Sequence, residues 1–174
     1  GASGMMASPT EMAAAYATLA NGGTYNEAHM VRKIVYKNED KTIKAKVQTH
    51  QPLSPQAAYM TSDLLYRAIF GKDSGWNLMS RLGFGAYPVY GKTGTSDWAD
   101  DAWKYGGPMK DEWMINYTSE YTIATWSGFD SGIEGKPTYI SEEILNANIP
   151  GWINKYMLDS IATGNEHMIS SPGG

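Results

Sequence analysis

The sequence predicts an α+β fold in which an antiparallel sheet is covered by helices. Two Ser-Pro openings, at Ser8-Pro9 and Ser54-Pro55, each introduce an apolar pattern of helical period. The stretch "DEWMINYTSEYTIATWSGFD", Asp111 to Asp130, alternates apolar and polar residues on both sides of a short break, as two paired strands do. A third helical pattern, "PGWINKYMLDSIATG", follows and is long enough to cover such a sheet.

Taken in order, "SPTEMAAAYATLANGG" reads as a complete helix. Ser8 is its N-cap, Pro9 its first residue, and Glu11 closes a capping box; Asn21, Gly22 and Gly23 end it. Met12, Ala15, Tyr16 and Leu19 recur at helical spacing and are expected to face a core. "VRKIVY" and "TIKAKV" flank the polar "KNEDK" and predict a hairpin with solvated charges at its tip. In "LSPQAAYMTSDLLYRAIFG", Ser54 caps a second helix, Met60, Leu64 and Ala68 share one side, and Gly71 is the stop. Residues 72–86 predict a loop with a helical turn between Trp76 and Leu82.

The chain then takes on strand character. "YPVYGKTGTS" leads into an aromatic, acidic loop, Asp97 to Lys110. In the hairpin after it, Trp113, Ile115 and Tyr117 share a face, and Thr122, Ala124 and Trp126 oppose Tyr121, Ile123 and Thr125, with a tight turn near Ser119. Glu142 and Glu143 suit the start of a helix, where a negative charge meets the positive end of the helix dipole. The last ten residues, 165–174, are expected to form a flexible tail on a domain portion spanning 1–164.

Composition excludes several classes of partner. The chain has 174 residues, a net charge of -4 and no basic run, so neither nucleic acid nor an anionic membrane surface is an expected partner. Its longest apolar run, Met12 to Ala20, falls far short of the ~20 residues that cross a bilayer, so no membrane contact by this segment is expected. With no cysteine it has no disulfide or thiolate metal site. His29, His50 and His167 lie far apart without ligand spacing, so neither metal nor cofactor is implied.

The run "VYGKTGTSDW", Val89 to Trp98, admits two chemistries. A phosphate-binding loop needs G-x-x-x-x-G-K-[ST], and the first glycine would fall on Ala86; Pro88 and two tyrosines stiffen what should be a flexible cradle, and Asp97, Asp100 and Asp101 would repel phosphate. The alternative is K-T-G on a strand beside an acyl-transfer cleft, where lysine supplies a cation, glycine permits close approach and threonines supply hydroxyl and N–H donors.

Four ordered blocks bear on that choice. "ASPTEMAAAYATLANGGTY", "LSPQAAYMTSDLL", "GKTGTSD" and "DEWMINYTSEYTIATWSGFD" resemble, in sequence order, the C-terminal half of the transpeptidase domain of bifunctional (class A) penicillin-binding proteins, in the form found in Gram-positive cocci. The resemblance covers about Ala7 to Asp130. It implies a serine transpeptidase/β-lactamase-like fold and a D,D-transpeptidase that joins peptidoglycan stem peptides through a serine acyl-enzyme, with β-lactam antibiotics acylating the same serine.

On the matching positions, it implies that Lys92 holds positive charge in the cleft, that Thr93 and Thr95 offer hydroxyls to a substrate carboxylate, and that the Thr95 N–H is one of two oxyanion donors. Gly94, Ser96 and Trp98 are the expected substrate-binding neighbours. The family's S-x-x-K and S-x-N are absent, since no serine here has lysine three residues on or asparagine two residues on. The resemblance therefore implies a partner, an N-terminal segment of the same protein bearing the nucleophilic serine. That segment would also anchor the parent, with its glycosyltransferase region, at the extracellular face of the cytoplasmic membrane. A serine β-lactamase-like hydrolase and a non-catalytic wall-binding module are the alternatives. The Asp97–Lys110 loop is longer than the family's usual link and brings Trp98, Trp103 and three aspartates towards the motif.

Overall fold

The computed structural model describes residues 6–71 and 78–173. Helix α1, Pro9–Ala20, begins as its sequence requires: the Ser8 hydroxyl accepts the Glu11 N–H, and the Glu11 carboxylate accepts the Ser8 N–H at 2.8 Å. Its buried side runs through Ala14, Thr18 and Leu19, and Ala15, expected inward, is exposed. Small Ala14 and Thr18 let the helix lie close to its neighbours. Thr18 tolerates burial because its hydroxyl donates to the Ala14 carbonyl.

After α1, two short strands, β1 (Tyr25–Asn26) and β4 (Thr49–His50), pair antiparallel and bracket the expected hairpin. That hairpin is β2 (Lys33–Val35) with β3 (Thr42–Lys44), exposed along its whole length. Helix α2, Pro55–Phe70, is capped by the Ser54 hydroxyl and ends at Gly71. Of its sequence stripe, Met60 and Leu64 are turned outward, 64% and 67% exposed, while Ala68 is half-buried against the core as expected. The inner side carries Ala58, Ser62 and Ile69 instead. Small side chains there leave room for two tyrosines of the sheet, and Ser62 shares a 3.0 Å hydrogen bond with the Tyr117 hydroxyl.

Of the turn expected between Trp76 and Leu82, residues 76–77 lie outside the described residues, and Ser80–Leu82 form one 3-10 turn. The main sheet follows: β5 (Tyr90–Asp97), β6 (Met109–Tyr117) and β7 (Thr122–Gly128), antiparallel in the order β5-β6-β7. The turn after β6 is built on Thr118, whose hydroxyl accepts the Glu120 and Tyr121 N–H groups. Tyr90 and Tyr117, opposite one another in register, stack at 5.0 Å beneath Leu19 of α1 and Ala58 of α2.

The other face buries Met114 with Met79, Leu82, Phe84, Val89 and Leu158. Leu158 belongs to α5 (Ile149–Ile161), which covers that face as predicted. Asn154 of α5, fully buried, bolts the helix to the sheet. Its amide donates to the Met114 carbonyl at 2.9 Å and to Asn116 at 3.0 Å, and its oxygen accepts from Thr125 at 2.6 Å.

Between β5 and β6 the chain forms a short helix α3, Ala102–Tyr105. Before α5 comes α4, Glu142–Ala147, with Glu142 and Glu143 in its first turn. Asn148 breaks the two apart in the left-handed conformation, and its side chain donates to the Leu78 carbonyl. Beyond Gly164, where a flexible tail is expected, the chain reaches back to the sheet. The His167 N–H donates to Ser119, and the Ile169 N–H donates to the Tyr90 hydroxyl at 2.8 Å.

Candidate active-site strand

The K-T-G motif lies on β5, which among the described residues is an edge strand of the three-stranded sheet. Val89 and Tyr90 anchor its entry, being 0% and 1% exposed. Gly91 is compelled by packing: a Cβ there would run into the Asn116 side chain and Met79. Gly94 is different. A Cβ at Gly94 would meet the Trp113 Cβ at 3.4 Å, an ordinary van der Waals contact, and its backbone is not left-handed. The described fold would accept a side chain there, so the glycine has no packing reason of its own.

Strand alternation divides the expected site residues between two faces. Lys92, Gly94 and Ser96 lie opposite Ile115, Trp113 and Asp111, whereas Thr93 and Thr95 lie opposite Met114 and Glu112 on the face towards α4 and α5. Lys92 is exposed, and its ammonium folds back to donate to the Thr93 carbonyl at 2.5 Å. The cation and the threonine hydroxyls thus leave the strand on opposite sides. Both faces border the same open edge, so a ligand laid along β5 can be reached from each.

Trp98 is held in the fold itself. Its indole N–H donates to the Thr138 carbonyl at 2.7 Å, its ring tilts against Tyr105 at 4.5 Å, and the Lys110 ammonium sits over it at 5.3 Å. The long loop is clasped further by Thr138 N–H to the Tyr105 carbonyl and Gly135 N–H to the Lys104 carbonyl. Trp98 therefore staples the loop to residues 133–140, with its polar atom already used, and Trp103 is the aromatic left outside, 74% exposed.

Sequence reasoning passed over Glu112. It is 4% exposed, and its Oε1 has no hydrogen-bond partner among the described residues. Burial alone pushes its carboxyl up to about 7 from an ordinary 4.5. The signal was available in "DEWMINYT", where alternation puts Glu112 on the face of Met114 and Asn116. Asp111, on the opposite face, is 8% exposed, and its Oδ1 also lacks a partner among the described residues.

The edge strand that bears Lys92, Thr93 and Thr95 is thus packed against helices on both faces of an α+β sheet. The penicillin binding protein transpeptidase domain model matches residues 1–136, and the chain belongs to that family. It is 32% identical over 140 residues to penicillin-binding protein 1A/1B of Bacillus subtilis, covering 78% of this chain and 15% of that protein. It is 36% identical over 132 residues to penicillin-binding protein 1A of Clostridium acetobutylicum, covering 76% of this chain and 14% of that one. It is 31% identical over 153 residues to penicillin-binding protein 1A of Streptococcus oralis, covering 81% of this chain and 22% of that one.

The chain therefore spans less than a quarter of the length of these relatives. Among solved structures, penicillin-binding protein A from M. tuberculosis matches in its imipenem and penicillin G acyl-enzyme complexes, each with a TM-score of 0.57. Identities are 17% and 18%; 87% of this chain is covered and 31% and 32% of those chains. That likeness shows the fold, an α+β serine transpeptidase-like architecture.

Proposed function

We propose that this chain is the K-T-G-bearing wall of a D,D-transpeptidase that cross-links peptidoglycan stem peptides through a serine acyl-enzyme and is acylated by β-lactams. The observation that carries the proposal is Gly94, a glycine on an open strand edge that the packing does not require. A ligand lying over the Lys92 and Ser96 face of that edge supplies the missing reason, since a Cβ at Gly94 would project onto that face.

The parts divide as follows. An extended stem peptide adds to β5 by main-chain hydrogen bonds. Lys92 places a cation beside its terminal carboxylate, the Thr93 and Thr95 hydroxyls donate to that carboxylate, and the Thr95 N–H faces the carbonyl oxygen as it gains charge; losing one such donor costs about 3–4 kcal/mol of transition-state stabilisation. Ser96 and Trp98 border the same edge, Trp98 by fixing the loop. The nucleophile comes from a segment of the same polypeptide that carries S-x-x-K, together with the membrane anchor and glycosyltransferase region, on the outer face of the cytoplasmic membrane. The absence of S-x-x-K and S-x-N from these 174 residues supports that division.

The test is fluorescent penicillin labelling of the intact parent protein, followed by mass mapping. Adduct on a serine outside this chain is the expected result. Label on a serine within it overturns the division of labour. Absence of label under conditions that acylate a control penicillin-binding protein favours a wall-binding module, and rapid release of hydrolysed penicillin favours a β-lactamase.

A further inference from the structure

Glu112 stands directly across from Thr95 in the β5–β6 register. Directly opposed residues of an antiparallel pair point to the same face with Cβ atoms about 5 Å apart. Both line a cavity of about 10 Å³ beneath Thr93 and Gly94, room for about one water molecule. One oxygen of a carboxyl that is almost wholly buried faces no donor among the described residues. A threonine hydroxyl one strand away can serve it, directly or through that single water.

We propose that Glu112 is a positioning residue for the K-T-G strand: through its charge state, its carboxyl sets which way the Thr95 hydroxyl donates, and so how well the strand receives a substrate carboxylate. The inference rests on the transpeptidase reading of β5 above. With Glu112 neutral, its own O–H can donate, and the Thr95 hydroxyl is free to turn outward to the ligand. With Glu112 ionised, the carboxylate can only accept, draws the Thr95 proton inward, and sets a negative charge behind the place where the substrate's own carboxylate must sit.

The groups that face Glu112 do not titrate: Thr93 and Thr95 from β5, Ser127 from β7, Leu145 of α4, Asn148 at its end, and Leu78. The charged groups on the packed elements are Lys92 and Asp97 of β5, Lys110 and Asp111 of β6, Glu142 and Glu143 in the first turn of α4, and Lys155 and Asp159 of α5. The three cations are engaged elsewhere, Lys92 on the Thr93 carbonyl, Lys110 over the Trp98 ring at 5.3 Å and Lys155 on Asp159, which leaves burial as the cause of the raised Glu112 carboxyl. Its raised carboxyl, neutral below about pH 7, places the switch within the working range of a wall enzyme.

The experiment measures the second-order rate of penicillin acylation of the intact parent protein between pH 5.5 and 8.5, in wild type, Glu112→Gln and Glu112→Asp. Taking the ratio of variant to wild-type rate cancels titrations elsewhere in the enzyme. Expected are rates within twofold for Glu112→Gln and wild type at pH 5.5, a variant at least threefold faster at pH 8.5, and a restored but displaced transition in Glu112→Asp. A flat ratio across the range, with acylation proceeding normally, overturns the inference and leaves the transpeptidase reading standing. A wild type that is never acylated overturns both. Should Glu112→Gln melt, Thr95→Val keeps the carboxyl, removes the hydroxyl it acts through, and is expected to lose the same alkaline decline; retention of the decline in Thr95→Val overturns the inference as well.

Discussion

Replacing Asn154 by alanine tests whether one buried amide holds the covering helix to the sheet that carries the K-T-G strand. The side chain is 0% exposed and makes three hydrogen bonds, to the Met114 carbonyl, Asn116 and Thr125. A net value of about 1 kcal/mol each gives about 3 kcal/mol, and stranding the buried Asn116 oxygen raises the loss to about 4 kcal/mol. Asn116 already has an amide nitrogen with no partner among the described residues, so it has little capacity to re-pair. At about 2–4 °C per kcal/mol, the domain's melting temperature falls by about 10 °C. The assay is thermal unfolding of the intact protein followed by calorimetry, with penicillin labelling below the transition. Met114 lies opposite Thr93, so loosening the helix also loosens the strand behind the motif. A variant that melts within 2 °C of wild type refutes the account of α5 as bolted through Asn154.

The two glycines of the motif are expected to part company. Gly91→Ala, whose Cβ meets Asn116 and Met79, costs about 1–3 kcal/mol of stability, whereas Gly94→Ala leaves the melting temperature within 2 °C and lowers penicillin acylation at least tenfold; equal stability losses in the two would defeat this reading. Because the folded pKa of Glu112 lies above its ordinary 4.5, its neutral form is favoured by folding, and stability present below pH 4.5 is lost as pH rises through about 7. Between pH 5 and 8 the loss is about 2–3 kcal/mol at 1.36 kcal/mol per pKa unit, and Glu112→Gln abolishes it in urea melts at the two pH values; a Gln variant with the wild-type slope would point to another group. Ser54→Ala removes the acceptor of the Ala57 N–H and costs about 1 kcal/mol, read as a melting shift of a few degrees; no shift would mean that α2 is capped by solvent equally well.

Those features that depend on neighbours in sequence were legible without a structure. Ser8 with Glu11, and Ser54 with Pro55, mark helix starts because capping is a local hydrogen-bond exchange, and the sheet strands declared themselves by alternation. What escaped was set by partners far along the chain. β1 and β4 have two residues each, too few for any periodicity, and exist only because Tyr25 meets His50. Met60 and Leu64 looked like a core stripe, yet the sheet's tyrosines select the small side of α2, at Ala58 and Ser62. In the site, K-T-G could be read from its letters, but the division of Lys92 from the two threonines follows from the pleat and register. The role of Trp98 as a staple follows from Thr138, forty residues away. Glu112 was hidden by the rule that a charged residue belongs outside, which a central strand covered on both faces overrides.

The open edge of β5 carries a cost of its own. Unpaired N–H and C=O groups that can receive a peptide are equally able to receive the edge of another molecule, the first step in sheet-to-sheet aggregation. Here the strand reads Tyr-Gly-Lys-Thr-Gly-Thr-Ser-Asp, with two glycines that pair weakly, an exposed lysine turned onto a backbone carbonyl, and an aspartate where the ladder slips at Ser96/Asp97. Those choices act as gatekeepers against the long, flat pairing that drives sheet-to-sheet aggregation.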